Sequence, residues 1–468
     1  MKVTNFIKVL IFSAIFLFLL NFTYNIFSWK DTAGAYCSST ETFYELEENI
    51  VDVLFLGSSH CYCSVNPSQL WEDYGMASFN MAISGQDLAS SYYCMKEALK
   101  TQDLKVVCVD LYGCTFQGYA IEGNLYRNTL SRKLSMDSVE AVNNMVETGD
   151  KSDFVLKWPI IHTRYKELAK EDFMKKRPPY LGYSAGFNTV PVTKQEFAKV
   201  EAKPFGEAEQ GWIRKMIELA KEENVNLVFF LAPYQMSLNA QEHIAYAKEM
   251  ISEYGVPMID MVELSEKIGL DWELDFVDSG HTNHYGATKV TKYLGEYLKS
   301  NYALEDFRGN ATYGLWEEDL KARKHEVKNH QLLQIADVKT YFEMLSTLED
   351  YTVVVSSTGE YLSGEANIDE CLQLAGSFHE FYDGSAVWIL NNKETTQVIR
   401  EREYLDVQPL TYGELLISCS NGQTTVFVDR GTYKKTENGV NVMIYDNVLG
   451  KVVDSVGFEA MYAYGMIR

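Results

Sequence analysis

Short, unbroken apolar runs separated by stretches of helical periodicity occupy most of the chain from Ile50 to Asn301. Val53-Leu54-Phe55-Leu56, Val106 to Leu111 and Asn226 to Ala232 read as strands, with Val256 to Asp260 a shorter fourth. A run with no polar alternation is how a strand covered on both faces of a parallel sheet reads. Between these runs, Pro67 to Tyr74, Leu88 to Leu99, Glu207 to Glu223 and Ala287 to Lys299 carry apolar residues at helical spacing. Strands alternating with helices predict an α/β domain with a parallel sheet and right-handed crossovers over residues 45–300. Residues 117–205 break the rhythm with Trp158-Pro159, Arg177-Pro178-Pro179-Tyr180 and many tyrosines. An insert of that length predicts either a substrate-binding cap on the carboxyl edge of the sheet or a surface decoration.

Beyond Asn301 the pattern changes. Residues 301–337 are charged and helical, centred on Leu315-Trp316-Glu317-Glu318-Asp319-Leu320-Lys321, and read as a helical linker. Val338 to Leu348 is an amphipathic helix, while Tyr351 to Val355, Ala386 to Leu390, Val426 to Val428 and Val440 to Tyr445 read as strands. Gly384, Gly422 and Gly439 supply turn signals, so residues 338–468 are expected to form a smaller α+β, β-rich domain. At the other end, Phe6 to Phe27 is close to the roughly twenty apolar residues a bilayer demands. Lys2 and Lys8 precede its almost unbroken apolar core, Val9 to Leu20, which favours an inward N-terminus with the bulk of the chain outside. An uncleaved anchor within residues 1–30 is the expectation. A cleaved signal peptide competes with it, although the small residues Ala33-Gly34-Ala35 lie well past the apolar run.

Composition narrows the partners. A chain of 468 residues is too long for one typical domain. Its 46% hydrophobic and 23% charged residues are ordinary for globular folding. The net charge of −23 argues against nucleic acid, which needs basic stripes. It also disfavours wide contact with anionic lipid headgroups. A neutral or cationic substrate fits better, although a local basic cleft would override the sum. The eight cysteines, Cys37, Cys61, Cys63, Cys94, Cys108, Cys114, Cys371 and Cys419, show no C-x-x-C pair and no metal-finger spacing. They read as packed residues, and no metal or cofactor is expected.

The chemistry is concentrated in two short blocks. Gly57-Ser58-Ser59-His60 follows the first apolar run at once, at the carboxyl end of a strand, where open α/β sheets place their ligands. Gly-Ser-Ser is also ordinary turn composition, so the block needs support. Asp278-Ser279-Gly280-His281 supplies it: a serine nucleophile needs a base, and the base needs a carboxylate to fix its tautomer. Cys61, off the Gly-x-Ser register, is a rival nucleophile. His60 is read as a residue that orients or lines the site, with His281 the base.

The pair of blocks resembles the SGNH, or GDSL-like, hydrolases and acyltransferases. The resemblance implies a three-layer α/β/α domain and a Ser59, His281, Asp278 triad. It implies an oxyanion hole from the amides of Ser59 and Gly85, the latter in Phe79-Asn80-Met81-Ala82-Ile83-Ser84-Gly85-Gln86. Ser58, His60, Asn80 and Gln86 are expected to line the site. The family's third block normally brings an asparagine after the third strand, and Lys105-Val106-Val107-Cys108-Val109-Asp110-Leu111-Tyr112-Gly113 has none. Gly-Ser-Ser-His behind an N-terminal anchor is most similar to the exported branch that handles acyl groups on cell-envelope polymers. That branch includes the D-alanyl transfer protein of teichoic acid synthesis and the O-acetyltransferases of exopolysaccharides. Residues 338–468, through Tyr351 to Ser357 and Gly439 to Phe458, are similar to the interleukin-like EMT inducer, or PANDER-like, domain, which implies extracellular recognition.

These readings converge on a membrane-anchored, extracytoplasmic serine acyl-transfer enzyme, an O-acyltransferase or O-acetylesterase. Its expected partners are the bilayer, through the N-terminal helix, and a cell-envelope glycan or polysaccharide substrate. The resemblance adds a membrane-bound acyltransferase. A catalytically silent envelope scaffold or glycan-binding protein is the alternative, supported by the absent asparagine.

Overall fold

The computed structural model describes residues 3–28, 38–115, 122–147, 149–168, 170–173, 181–197, 200–359, 386–392, 394–399, 403–460 and 465–468. The chain divides into two compact units, Met1–Leu320 and Lys321–Arg468. The division falls inside the helix Gly314–Gln334, within the stretch read as a helical linker.

The first unit is built on strands β1 (Val53–Leu56), β2 (Ser78–Asn80), β3 (Val106–Asp110), β4 (Asn226–Leu231) and β5 (Met258–Asp260). They form one parallel sheet in the order β2-β1-β3-β4-β5. Two-residue periodicity decides which side chain faces which layer. Leu54, Leu56, Val107, Val109, Phe229 and Leu231 pack into one buried cluster with the helices Leu88–Ala98, Glu207–Glu222 and Leu238–Ser252. Val53, Phe55, Cys108, Val228 and Phe230 pack into another with Pro67–Tyr74 and His284–Asn301. The expected layered parallel architecture is therefore present. The chain runs from β1 outward to β2 and then returns past β1 to β3. Strand order reverses between β1 and β3, and a crevice at such a point is where open α/β sheets hold their ligands.

The described part of the 117–205 stretch holds the helices Glu122–Leu130, Met136–Met145, Lys151–Leu156 and Trp158–Ile161. Arg177-Pro178-Pro179-Tyr180 lies outside the described residues.

The second unit is β-rich, as expected. Its strands are β6 (Tyr351–Thr358), β7 (Ala386–Asn391), β8 (Glu394–Ile399), β9 (Tyr404–Pro409), β10 (Glu414–Ser420), β11 (Gln423–Val428), β12 (Gly431–Tyr433), β13 (Gly439–Asp446), β14 (Lys451–Glu459) and β15 (Gly465–Ile467). They make a six-stranded sheet, β15-β14-β13-β6-β7-β8, and a four-stranded sheet, β12-β11-β10-β9. One face of the larger sheet, with Val353, Trp388, Val442 and Phe458, buries Tyr341, Phe342 and Leu345 of the helix Val338–Leu345. The other, with Val354, Ile389 and Met443, packs on Leu415, Ile417 and Val426 of the smaller sheet.

Candidate active site

Gly57 ends β1 at φ +147, and a β-carbon there would lie 2.7 Å from Cβ of Asp110 and 3.0 Å from Cβ of Cys61. Only glycine fits that turn, which sends the chain straight from the strand into the short helix Ser59–Ser64. Ser58 is the N-cap, its side chain accepting from the His60 amide at 3.4 Å. Ser59 is thus the first helical residue, above the carboxyl end of β1.

The partner loop lies between β5 and the helix His284–Asn301. It is pinned by an antiparallel bridge between Phe276 and Thr282, and by the Val277 amide donating to the His281 carbonyl at 3.0 Å. The Thr282 hydroxyl donates to the Cys63 carbonyl at 3.1 Å and sits 3.0 Å from the Ser64 hydroxyl, tying this loop to the serine helix. Asn283 caps the following helix by accepting from the Tyr285 and Gly286 amides.

These constraints bring together residues far apart in the chain. His281 Nε2 lies 2.7 Å from Ser59 Oγ, and His281 Nδ1 lies 2.9 and 3.0 Å from the two carboxylate oxygens of Asp278. Asp278 Oδ1 also accepts from the amides of Gly280 at 2.7 Å and His281 at 2.9 Å. Burial raises the Asp278 pKa, but the Gly280 amide and the His281 imidazole outweigh it and hold the carboxyl below its ordinary value. An ionised carboxylate only accepts, so Nδ1 carries the imidazole proton and Nε2 is left to accept from the serine hydroxyl.

His60 lies beside this chain of bonds. It is buried, stacked on Tyr112 at 3.5 Å between ring centroids, edge-on to Tyr234 at 5.0 Å and 5.0 Å from the His281 ring. Burial, and then the neighbouring His281, push its pKa well below the ordinary histidine value, so it stays neutral. Its Nδ1 has no hydrogen-bond partner among the described residues. The aromatic wall formed by Tyr112 and Tyr234 carried no signal in the sequence, because it comes from turns after two different strands.

The remaining expected site residues divide. Gly85 sits at φ +66, where a β-carbon would fall 2.1 Å from Nδ2 of Asn124. Gln86 closes the turn before it, accepting from the Ile83 amide at 2.8 Å. Asn80 is fully buried, and its side chain donates to the carbonyls of Cys61 and Val65 at 3.3 and 3.1 Å, bracing the serine helix from below. Cys61 is also buried, and burial, reinforced by Asp110, raises its thiol well above the ordinary value. The thiol of Cys63 is pushed up to about 12 by burial and by Asp278. Both are therefore protonated at neutral pH and poor nucleophiles.

The Gly85 turn is held by the insert helix Glu122–Leu130. Arg127 donates to the Ser84 hydroxyl at 3.3 Å and to the Asn124 side chain at 3.2 Å, while Asn128 donates to the Ser84 carbonyl at 3.4 Å. Asn124 and Asn128, four apart on one helix face, are the signal that was present in the sequence. Beneath the site, Asp110 Oδ1 accepts from the Ala232 amide at 3.0 Å, joining the ends of β3 and β4, and burial pushes this carboxyl up to about 7. Among the described residues no group of three or more His, Cys, Asp or Glu is placed to hold a metal ion.

No family model matches the chain, and no curated protein matches it. Among solved structures it is similar to a protein assigned by inference as an acylhydrolase from Bacteroides fragilis NCTC 9343. That likeness has 13% identity and a TM-score of 0.30, covering 58% of this chain and 99% of that one. A second, assigned in the same way as a GDSL-like lipase from Parabacteroides merdae ATCC 43184, shares 12% identity at a TM-score of 0.26. It covers 53% of this chain and 96% of its own. At these scores neither likeness decides chemistry, which rests on the site itself.

Proposed function

We propose that this protein is a serine acyl-transfer enzyme. The observation that carries the reading is the hydrogen-bonded line from Ser59 Oγ through His281 to Asp278, at 2.7 and 2.9 Å. Ser59 Oγ attacks the carbonyl carbon of an acyl ester or thioester while its proton passes to His281 Nε2. The carbonyl oxygen becomes an oxyanion held by the amides of Ser59 and Gly85. As the tetrahedral adduct collapses, the leaving alcohol or thiol takes the proton from Nε2, and the acyl group remains on Ser59. A second hydroxyl then loses its proton to Nε2 and attacks the acyl-serine, and on collapse the departing Ser59 oxygen takes that proton back from Nε2, releasing the product and the free serine hydroxyl. Asp278 holds the tautomer and balances the imidazolium in both halves.

The second hydroxyl belongs to water in an O-acetylesterase and to a sugar in an O-acyltransferase. The finer reading is an enzyme acting outside the cytoplasm on a cell-envelope or exported polysaccharide. Phe6–Phe27 serves it as a single-pass anchor, the β-rich second unit as a glycan-binding or positioning module, and a membrane-bound acyltransferase as acyl donor. Phe6–Phe27 is 22 residues long with a mean hydropathy of 2.2, which supports the anchor. The binding role rests on the resemblance read from Tyr351 to Ser357 and Gly439 to Phe458 alone, since no family model matches.

The test is intact-mass analysis after treatment with a fluorophosphonate. One adduct per chain is expected on the wild type and none on Ser59→Ala. Equal labelling of Ser59→Ala would overturn the assignment. No adduct on the wild type would favour the silent scaffold, which the lack of an asparagine between Lys105 and Gly113 supports.

A further inference from the structure

Ser59 and His60 are the first two residues of a short helix, so their side chains leave the backbone about 100° apart. Both nevertheless reach His281. Ser59 Oγ bonds its Nε2, and the His60 ring lies 5.0 Å from the His281 ring. A β-carbon on Gly280 would lie 3.7 Å from Cε1 and 3.8 Å from Nε2 of His60, so that edge of the ring is turned toward the loop carrying the triad histidine. The ring plane is fixed. Tyr112 stacks on it with 20° between the planes, and Tyr234 stands edge-on, at 84° to His60 and 88° to Tyr112.

Only 3% of His60 is exposed. Among the described residues no group bonds either ring nitrogen, but only Nδ1 is sealed from solvent, so the small opening that remains is at Nε2. Burial among these rings keeps the imidazole neutral, with one N–H to place. A sealed N–H forfeits its bond to water, and orphaned buried N–H groups are rarer than orphaned acceptors. The proton therefore sits on Nε2. The result is a rigidly held donor beside the serine–histidine bond, with no acceptor of its own among the described residues.

We propose that His60 is a further catalytic residue whose Nε2–H holds the alcohol oxygen of the substrate. A hydroxyl that attacks the acyl-serine has one proton and two lone pairs. The proton faces His281 Nε2, one lone pair attacks the carbonyl carbon, and the other accepts from His60, which keeps its own proton throughout. In the first half-reaction the same donor stabilises the ester oxygen while its bond to the acyl carbon breaks and His281 protonates it. A preorganised donor aimed at an atom whose charge changes lowers the barrier without having to reorganise. The inference rests on the acyl-transfer reading above and adds to it the group that orients the acceptor.

The test uses the full-length chain in detergent. After a pulse of p-nitrophenyl acetate, quenched-flow intact mass follows decay of the acetyl group on Ser59, and the rate of fluorophosphonate labelling is measured beside it. Fluoride leaves without a donor, whereas the attacking water needs alignment. His60→Phe keeps a ring on Tyr112 and loses the N–H, so decay should slow about 10²-fold and labelling only about threefold. His60→Gln, whose amide donates from nearly the same place, should recover about tenfold of the lost decay rate. If the phenylalanine ring prevents folding, His60→Gln against His60→Met, equal in length and without a donor, makes the same comparison. Unchanged decay in His60→Phe, no recovery in His60→Gln, or labelling slowed as much as decay would each overturn the proposal, the last because the ring would then merely support the serine. A wild type that takes neither label would instead remove the acyl-transfer reading itself, and this inference with it.

Discussion

Each unit of this protein holds a histidine bonded through Nδ1 to an aspartate, and the two pairs sit in opposite surroundings. In the first unit His281 is 28% exposed, Asp278 is 56% exposed, and a serine hydroxyl stands at the other imidazole nitrogen. In the second, His325 lies 3.0 Å from an Asp446 that is completely buried, and its ring stacks on Tyr351 at 4.8 Å. Asp446 also accepts from Asn329 at 2.7 Å and from the amides of Val448 and Leu449 at 2.9 Å. That carboxylate shapes the turn between β13 and β14. The histidine–aspartate bond alone therefore does not mark a catalytic site. What distinguishes the first pair is a partly exposed ring with a serine hydroxyl on its second nitrogen.

Exchanging the two histidines for alanine is the sharpest way to break the comparison. His281→Ala should slow acylation of Ser59 by a factor of about 10³ or more. Stopped-flow release of p-nitrophenol from p-nitrophenyl acetate measures this, and a loss below tenfold would remove His281 from the base role. Asp278→Asn comes next, with a loss of about 10²–10⁴ in the same assay and an unchanged melting temperature, because the pair is exposed. His325→Ala should leave the acylation rate in place and cost about 1–3 kcal/mol of stability, since it strips a buried carboxylate of one donor. Urea unfolding followed by tryptophan fluorescence would show it.

Acid titration gives a smaller and subtler contrast. For Asp446, burial acts upward, but His325, the Leu449 amide and Asn329 outweigh it, and the carboxyl lies below the ordinary value of 3.8. Its ionised form contributes stability that is complete above 3.8 and is lost as pH falls through the lower folded value. Asp110 runs the other way. With its carboxyl raised from 3.8 to about 7, its contribution is complete below the unfolded value and is lost as pH rises through about 7. In Asp110→Asn the decline in melting temperature between about pH 4 and about pH 7 should flatten, and an unaltered slope would assign it to other groups.

The parallel sheet was legible because its strands are buried on both faces. Val53 to Leu56, Val106 to Asp110 and Leu227 to Leu231 need no alternation to be recognised. The helix Leu238–Ser252 was not anticipated, since its buried face relies on Ala240 and Ala247 as much as on Ile244 and Ile251. Strand β2 also escaped, being three residues long. In the second unit β9 alternates half-buried with exposed positions and β10 buried with half-buried ones, and neither has a long apolar run, so neither was singled out as a strand. The serine, histidine and aspartate were legible because short blocks carry them. Arg127, Tyr112 and Tyr234 were not, because only the completed fold sets them around the site.

The serine and its histidine are 222 positions apart. A ribosome delivers Ser59 long before His281, so the emerging chain carries an ordinary hydroxyl until the loop after β5 has been made and seated. On the acyl-transfer reading proposed above, the site stays unassembled until then. For the same reason, a fluorophosphonate adduct on Ser59 counts the molecules whose first unit has finished folding.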